Sequence, residues 1–324
     1  MTPVAPRRLT LVLAFAAIYL VWGSTYIGIK FAIETIPPLL MAGARSLLAG
    51  GLLFGVLLAR GTAPPPLRAW GPAALIGGLL LLVGNGGVTW SQTRVPSGLS
   101  ALIVSFVPVW MLLMEWLRRG GTAPSRGTLA GVGLGLLGLA LLIGPGRLMG
   151  GAPVDPIGAA VLVLATLSWA AGSLIARGTR AGVPPLMATA MQMIAGGALL
   201  LVAATVAGEP GRFRLDAIGA RSVVSFLYLV VFGSLVGYTA YVWLLANASV
   251  ARVSTYAFVN PVVAVMLGWA VAGELLTPRI MVAAAIIVTA VAIITLTRTA
   301  RAPRAEPQTS PALRVRGLSG SPGR

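Results

Sequence analysis

The side chains able to do chemistry in this 324-residue chain are few, and they are polar or aromatic rather than catalytic. Histidine and cysteine are absent, which removes the commonest proton shuttle, the commonest metal ligand and any disulfide. Arg45 sits inside an apolar stretch, where an arginine costs about 2.5–3.5 kcal/mol at mid-helix and so needs a partner or water. Its chemistry is to meet an anionic group such as a carboxylate, to bond carbonyls at a broken helix, or to snorkel to the interface. Asn85, Thr89 and Gln92 fall at i, i+4 and i+7, one helical face that either lines a pathway or bonds a neighbouring helix. Tyr256 and Asn260 share a face at i, i+4, and Pro261 beside them either opens a carbonyl to a ligand or makes a tolerated kink. Trp22, Thr25 and Tyr26, with Trp169 and Ser173 and then Tyr238 and Tyr241, offer aromatic walls with a few hydroxyls. Such walls suit an amphipathic organic ligand. Glu274 is the nearest to a proton-coupling carboxylate, although Arg279 follows a turn later and a solvated pair between them is expected. No group of residues has the pairing that a hydrolase, a transferase or a metal centre needs. The chain reads as a non-enzyme with no cofactor.

The elements that must position these groups are read from hydropathy. Hydrophobic residues make up 57% of the chain and charged ones 10%, with mean hydropathy +0.92. A soluble domain carries about 25% charged residues to wet its surface, so lipid is the expected solvent. About 20 apolar residues cross the hydrocarbon, and ten such runs occur, near 9–29, 39–59, 70–92, 97–117, 128–144, 156–177, 185–207, 221–246, 251–273 and 279–297. All should be helices, because lipid offers no partner to an open backbone. The expected fold is therefore an all-α membrane protein of ten transmembrane helices.

A net charge of +17 would suggest nucleic acid in a soluble protein. Alternating across ten spans with Arg7 and Arg8 inside puts 16 basic residues on the cytoplasmic side and 7 outside, with Arg45 in a span. That bias reports orientation, with both termini cytoplasmic in a bacterial-type inner membrane, and no nucleic-acid partner. Residues 298–324 are rich in Arg, Pro, Ser and Gly and read as a disordered cytoplasmic tail able to touch anionic lipid.

The chain also repeats itself. Ile36-Pro37-Pro38-Leu39-Leu40-Met41-Ala42 matches Val183-Pro184-Pro185-Leu186-Met187-Ala188-Thr189 at an offset of 147, which also pairs Trp22 with Trp169 and Arg45 with Gln192. An offset of 153 pairs Gly84 with Gly237, Trp90 with Trp243, and Phe106-Val107-Pro108-Val109 with Val259-Asn260-Pro261-Val262. The units are 9–144 and 156–297, five spans each. An odd number of spans forces the copies into opposite orientation, and inverted halves around a midplane site are the architecture of secondary carriers.

Leu20-Val21-Trp22-Gly23-Ser24-Thr25-Tyr26, Pro37-Pro38-Leu39-Leu40-Met41-Ala42-Gly43-Ala44-Arg45, Val83-Gly84-Asn85-Gly86, Val95-Pro96-Ser97-Gly98 and Ala257-Phe258-Val259-Asn260-Pro261-Val262 together resemble the EamA family of the drug/metabolite transporter superfamily. The resemblance implies two inverted EamA repeats and export of small metabolites, amino acids or amphipathic drug-like compounds. Gly273-Glu274 after the ninth span also matches, but the chain departs from the family at Gly120-Gly121, where a second Gly-Glu is often found. From the residues alone, a lipid or lipid-precursor flippase and a non-transporting receptor or scaffold stand as alternatives.

Overall fold

The computed structural model describes residues 8–118, 125–143, 154–179, 182–248, 250–253 and 255–301. Gly120-Gly121 and the tail past 301 lie outside them. Among the described residues the chain is helical and has no strand. The continuous helices are α1 (Arg8–Ala32), α2 (Pro38–Ala59), α3 (Leu67–Ser91), α4 (Ser97–Leu117), α5 (Arg126–Ile143), α6 (Pro156–Gly178), α7 (Pro185–Val206), α8 (Ala220–Asn247), α9 (Tyr256–Ala272) and α10 (Pro278–Arg301). Seven of them, α1–α4 and α6–α8, are long and apolar enough to cross a membrane; α9 and α10 hold shorter apolar stretches. The ninth apolar run begins later than its hydropathy suggests, at Tyr256 rather than 251, after a separate short helix at Val250–Val253. At the other extreme α10 runs past the expected end of its apolar run to Arg301, because no breaker comes before Pro303.

Helix starts follow local chemistry. Pro38, Pro156 and Pro185 open α2, α6 and α7, where proline's missing N–H is an orphan anyway. Asp155 caps α6 by accepting from the Gly158 amide at 2.6 Å. Large apolar side chains such as Leu52, Leu137, Val202 and Met266 are left exposed. Water would not tolerate such a belt, and lipid would solvate it.

Close glycine contacts report which way the helices run. A Cβ at Gly50 would lie 2.7 Å from Met193 Cβ and 3.0 Å from the Ala190 oxygen; one at Gly197 would lie 2.8 Å from the Leu47 nitrogen and 3.1 Å from the Gly43 oxygen. The later residue of each helix meets the earlier residue of the other, so α2 and α7 are antiparallel. The offset of 147 carries Gly43 and Gly50 onto Ala190 and Gly197, so one contact is made twice about a local two-fold. Helices α5 and α10 pass in the same antiparallel way, Gly131 against Ile294 and Gly138 against Ile287, as do α1 and α8, Gly28 against Leu229 and Gly233 against Thr25. Helix α1 instead runs parallel to α9, with Tyr19 beside Thr255 and Gly23 beside Val263. Every one of these directions fits a chain that reverses at each connection.

The α2–α7 seam makes a stability prediction. Gly50→Val and Gly197→Val force backbones apart and should each cost about 1–3 kcal/mol as overpacking, read as a lower melting temperature in detergent. Gly51→Val, with nothing within 4 Å of its Cβ position, should melt with the wild type. Equal melting of all three variants would refute the seam.

Candidate functional site

Among the described residues three helices widen into π turns, at Ala17–Val21 in α1, Gly78–Asn85 in α3 and Leu229–Tyr238 in α8. The wider π turns gather at functional sites because they leave carbonyls without intrahelical donors. The segments of α3 and α8 nearly coincide under the 153 offset. Within them, Gly237 makes room for the indole of Trp22, and Gly84 makes room for that of Trp169, whose Cε3 would stand 2.8 Å from a Cβ there. The first tryptophan of each half thus seats on the glycine of the other half. Trp22 Nε1 donates to the Gly233 carbonyl at 3.2 Å.

Between the halves lies a cavity. Its wall takes Trp22, Thr25 and Tyr26 from α1, Arg45 and Ser46 from α2, Asn85 from α3, Trp169 from α6, Ser234 and Tyr238 from α8, and Tyr256 and Asn260 from α9. The aromatic part is one connected cluster. Trp22 meets Trp169 edge-on at 5.6 Å between centroids, Tyr256 edge-on at 5.6 Å and Tyr241 at 4.9 Å. Tyr241 and Ser173 stand behind this wall: the Tyr241 hydroxyl bonds Ser173 Oγ at 2.7 Å and accepts from Trp169 Nε1 at 3.2 Å. These two residues hold the tryptophan rather than line the space.

The polar part shows the repeat at atomic level. Arg45 Nη2 donates to Asn85 Oδ1 at 2.8 Å, and Tyr238 donates its hydroxyl to Gln192 Oε1 at 3.0 Å. The repeat offsets carry Arg45 onto Gln192 and Asn85 onto Tyr238, so the two bonds are equivalent, and only one holds a charge. Asn260, with its amide nitrogen turned toward α1, donates to the carbonyls of Ile18 at 3.0 Å and Tyr19 at 2.9 Å. These are carbonyls of the π segment of α1. Asn260 therefore lines the cavity and fixes its neighbour at once.

Thr89 and Gln92 depart from the expected stripe. The cavity-facing row of α3 is Leu81, Asn85 and Val88; Thr89 is fully buried outside it, and Gln92 borders a second cavity. At 100° per residue, Val88 stands 60° to one side of Asn85 and Thr89 stands 40° to the other, and polarity alone cannot choose between them. Ser46 and Ser234 join the wall without having been marked by any sequence pattern.

Glu274 lies away from the central cavity, beside that second space with Lys30, Gln92, Arg94 and Arg279. The expected Glu274–Arg279 pair does not form. Gly273 ends α9 in the left-handed region at φ 64°, which turns Glu274 back toward the start of α4. There it accepts from Lys30 Nζ at 2.8 Å, from the Ser97 amide and hydroxyl at 2.8 Å each, and from the Gly98 amide at 3.1 Å, while Arg279 Nε donates to the Leu141 carbonyl at 2.8 Å. Burial pushes the Glu274 carboxyl up, but its donors (Lys30, the Gly98 and Ser97 amides, the Ser97 hydroxyl) outweigh burial and hold it below the usual carboxylate range. Three further carboxylates join the halves at the same end. Glu34 pairs with Arg221 at 2.6 Å, Asp155 with Arg94 at 3.3 Å, and Glu209 accepts from the Leu39 and Leu40 amides at the start of α2.

Known proteins are similar to this chain in sequence and fold. The description "EamA-like transporter family" matches residues 9–144 and 156–296. The chain is 40% identical over 286 residues, 87% of its length and 90% of the relative's, to Escherichia coli K12 YedA, described as an uncharacterized inner membrane transporter. It is 28% identical over 287 residues to Bacillus subtilis YvbV, described as an uncharacterized transporter, covering 89% of this chain and 91% of that one. A solved crystal structure superposes with a TM-score of 0.63 at 20% identity, across 92% of this chain and 100% of that chain, a likeness of fold.

Proposed function

The chain belongs to the EamA-like transporter family, and from that premise we propose that it is a multi-pass inner-membrane secondary carrier exporting small amphipathic metabolites by alternating access. In this reading ten spans form two inverted five-helix repeats, 9–144 and 156–297, with both termini cytoplasmic. The observation that carries it is the doubled α2–α7 contact, in which equivalent residues of antiparallel helices exchange places around a cavity built from both halves. Two like halves related in this way can rock to expose one site to either side. The four carboxylate ties lie at the end bearing Lys30 and Glu274, the outer end in this topology. These ties between the halves support a conformation held closed at that end. Glu274 acts here as a tie; to carry a proton it would first have to leave Lys30.

Efflux of labelled amino acids and drug-like amphiphiles from loaded proteoliposomes, with and without a pH gradient, tests this. Saturable efflux of at least one compound is expected. Its absence across the panel, or reporters placing the two termini on opposite faces, would sink the proposal.

A further inference from the structure

The cavity is not neutral. Arg45 is 4% exposed and spends one nitrogen on Asn85, while its Nε and Nη1 have no partner among the protein atoms. The equivalent place in the other half holds Gln192, closed off by its bond to Tyr238. No carboxylate among the described residues lines the cavity. Among the described residues, Glu34, Asp155, Asp216 and Glu274 pair with basic residues elsewhere, and Glu209 caps α2. A buried guanidinium left with unfilled donors is costly to hold, and Arg45 borders the central cavity built from both halves.

We infer that the cargo is an organic anion, an amphipathic molecule whose carboxylate or similar oxyanion meets Arg45 while its apolar body lies against Trp22, Trp169 and Tyr256. This rests on the carrier reading and names the substrate class of the same site. The charge works as a filter. A carboxylate completes the guanidinium's bonds in a dry setting where charge-assisted bonds are strong. An ammonium of the same shape brings like charge against like, and the attraction of the rings for cations does not offset it. The lone charge also sets orientation, with the anion toward α2 and α3 and the body toward α6 and α9. A zwitterionic amino acid fits only with its ammonium directed away from Arg45.

Three probes of one shape separate charge from hydrophobicity: 3-phenylpropionate, 3-phenylpropanol and phenethylamine. Binding to the purified protein in detergent is read by quenching of tryptophan fluorescence and by the rise in melting temperature. The propionate is expected to bind tightest and the amine weakest. Arg45→Gln copies the residue of the other half and should fold, and it is expected to bind the propionate about ten- to a hundredfold more weakly while the propanol is unchanged. Arg45→Lys should fall between, and it carries the test should the glutamine variant fail to fold. Amine binding equal to that of the propionate, propionate binding indifferent to Arg45, or no binding of the propionate would each overturn the inference. Flux assays in proteoliposomes keep the two readings apart. Arg45-dependent binding without any flux would condemn the carrier and leave the anion site. Flux of amines that ignores Arg45 would do the reverse.

Discussion

Trp22→Ala should abolish measurable transport, lowering it by about a hundredfold or more, and should cost about 3–5 kcal/mol of stability as a large-to-small core change. The reason is the number of roles on one side chain. Its ring joins Trp169, Tyr241 and Tyr256, its Nε1 donates to the Gly233 carbonyl in the π segment of α8, and its edge fills the space left by Gly237. Truncation removes the link between the halves and leaves the Gly233 carbonyl without that donor. Trp22→Phe keeps the ring contacts and loses the bond, so it should retain a tenth or more of the wild-type rate. Melting in detergent and efflux from proteoliposomes decide the matter. A Trp22→Ala protein that melts and transports like wild type would show that the cavity is not held by this cluster.

The second large effect belongs to Glu274. Its alanine variant loses the Lys30 pair together with three bonds that cap α4. Lys30 is a third exposed and recovers part of the loss by hydration, so about 2–3 kcal/mol is expected rather than the 3–5 of a fully buried pair. Because the chain has no cysteine, a single cysteine at Ile29, which also lines the central cavity, can report access as Ile29→Cys. Labelling by a membrane-impermeant maleimide from the Glu274 side should quicken about tenfold or more in the Glu274→Ala background. Unchanged labelling would mean that the carboxylate ties nothing shut. The pH dependence follows from the sign of the shift. A carboxyl held below its ordinary value near 4.5 stabilises the fold fully above that value, and the contribution fades as pH falls through the lower, folded value. Melting should therefore stay level from pH 8 to about 5 and drop below about 4, and Glu274→Gln should flatten part of that drop. Asp155, lowered by the Gly158 amide first and by Arg94 with it, adds to the acid loss and survives in the glutamine variant.

Much of this was legible in the chain. The apolar runs lie within a few residues of the helices because hydropathy and proline act locally. The offsets of 147 and 153 reappear in three dimensions as Trp22 over Gly237 with Trp169 over Gly84, and as Arg45–Asn85 with Gln192–Tyr238. Arg45 was visible because a charge among apolar residues is conspicuous in one dimension. Lys30 as the partner of Glu274, and Glu209 as the cap of α2, carried no signal. Their contacts span 244 and about 170 residues, and nothing in the flanking sequence points across such distances.

Sequence alone therefore carried the signals that depend on composition and on similarity within the chain: an apolar helical protein, an internal resemblance that reads as a duplication, and a short roster of polar and aromatic residues proposed to meet a ligand. Tertiary structure decided which of them share a space. Helix rotation and close glycine contacts put Asn85 and Val88 at the cavity and Thr89 behind it, set Tyr241 and Ser173 as supports, and turned Glu274 at Gly273 toward Lys30 instead of Arg279. The physical reason is that polarity fixes how costly a residue is in lipid, whereas the packing of neighbouring helices fixes where it can find a partner.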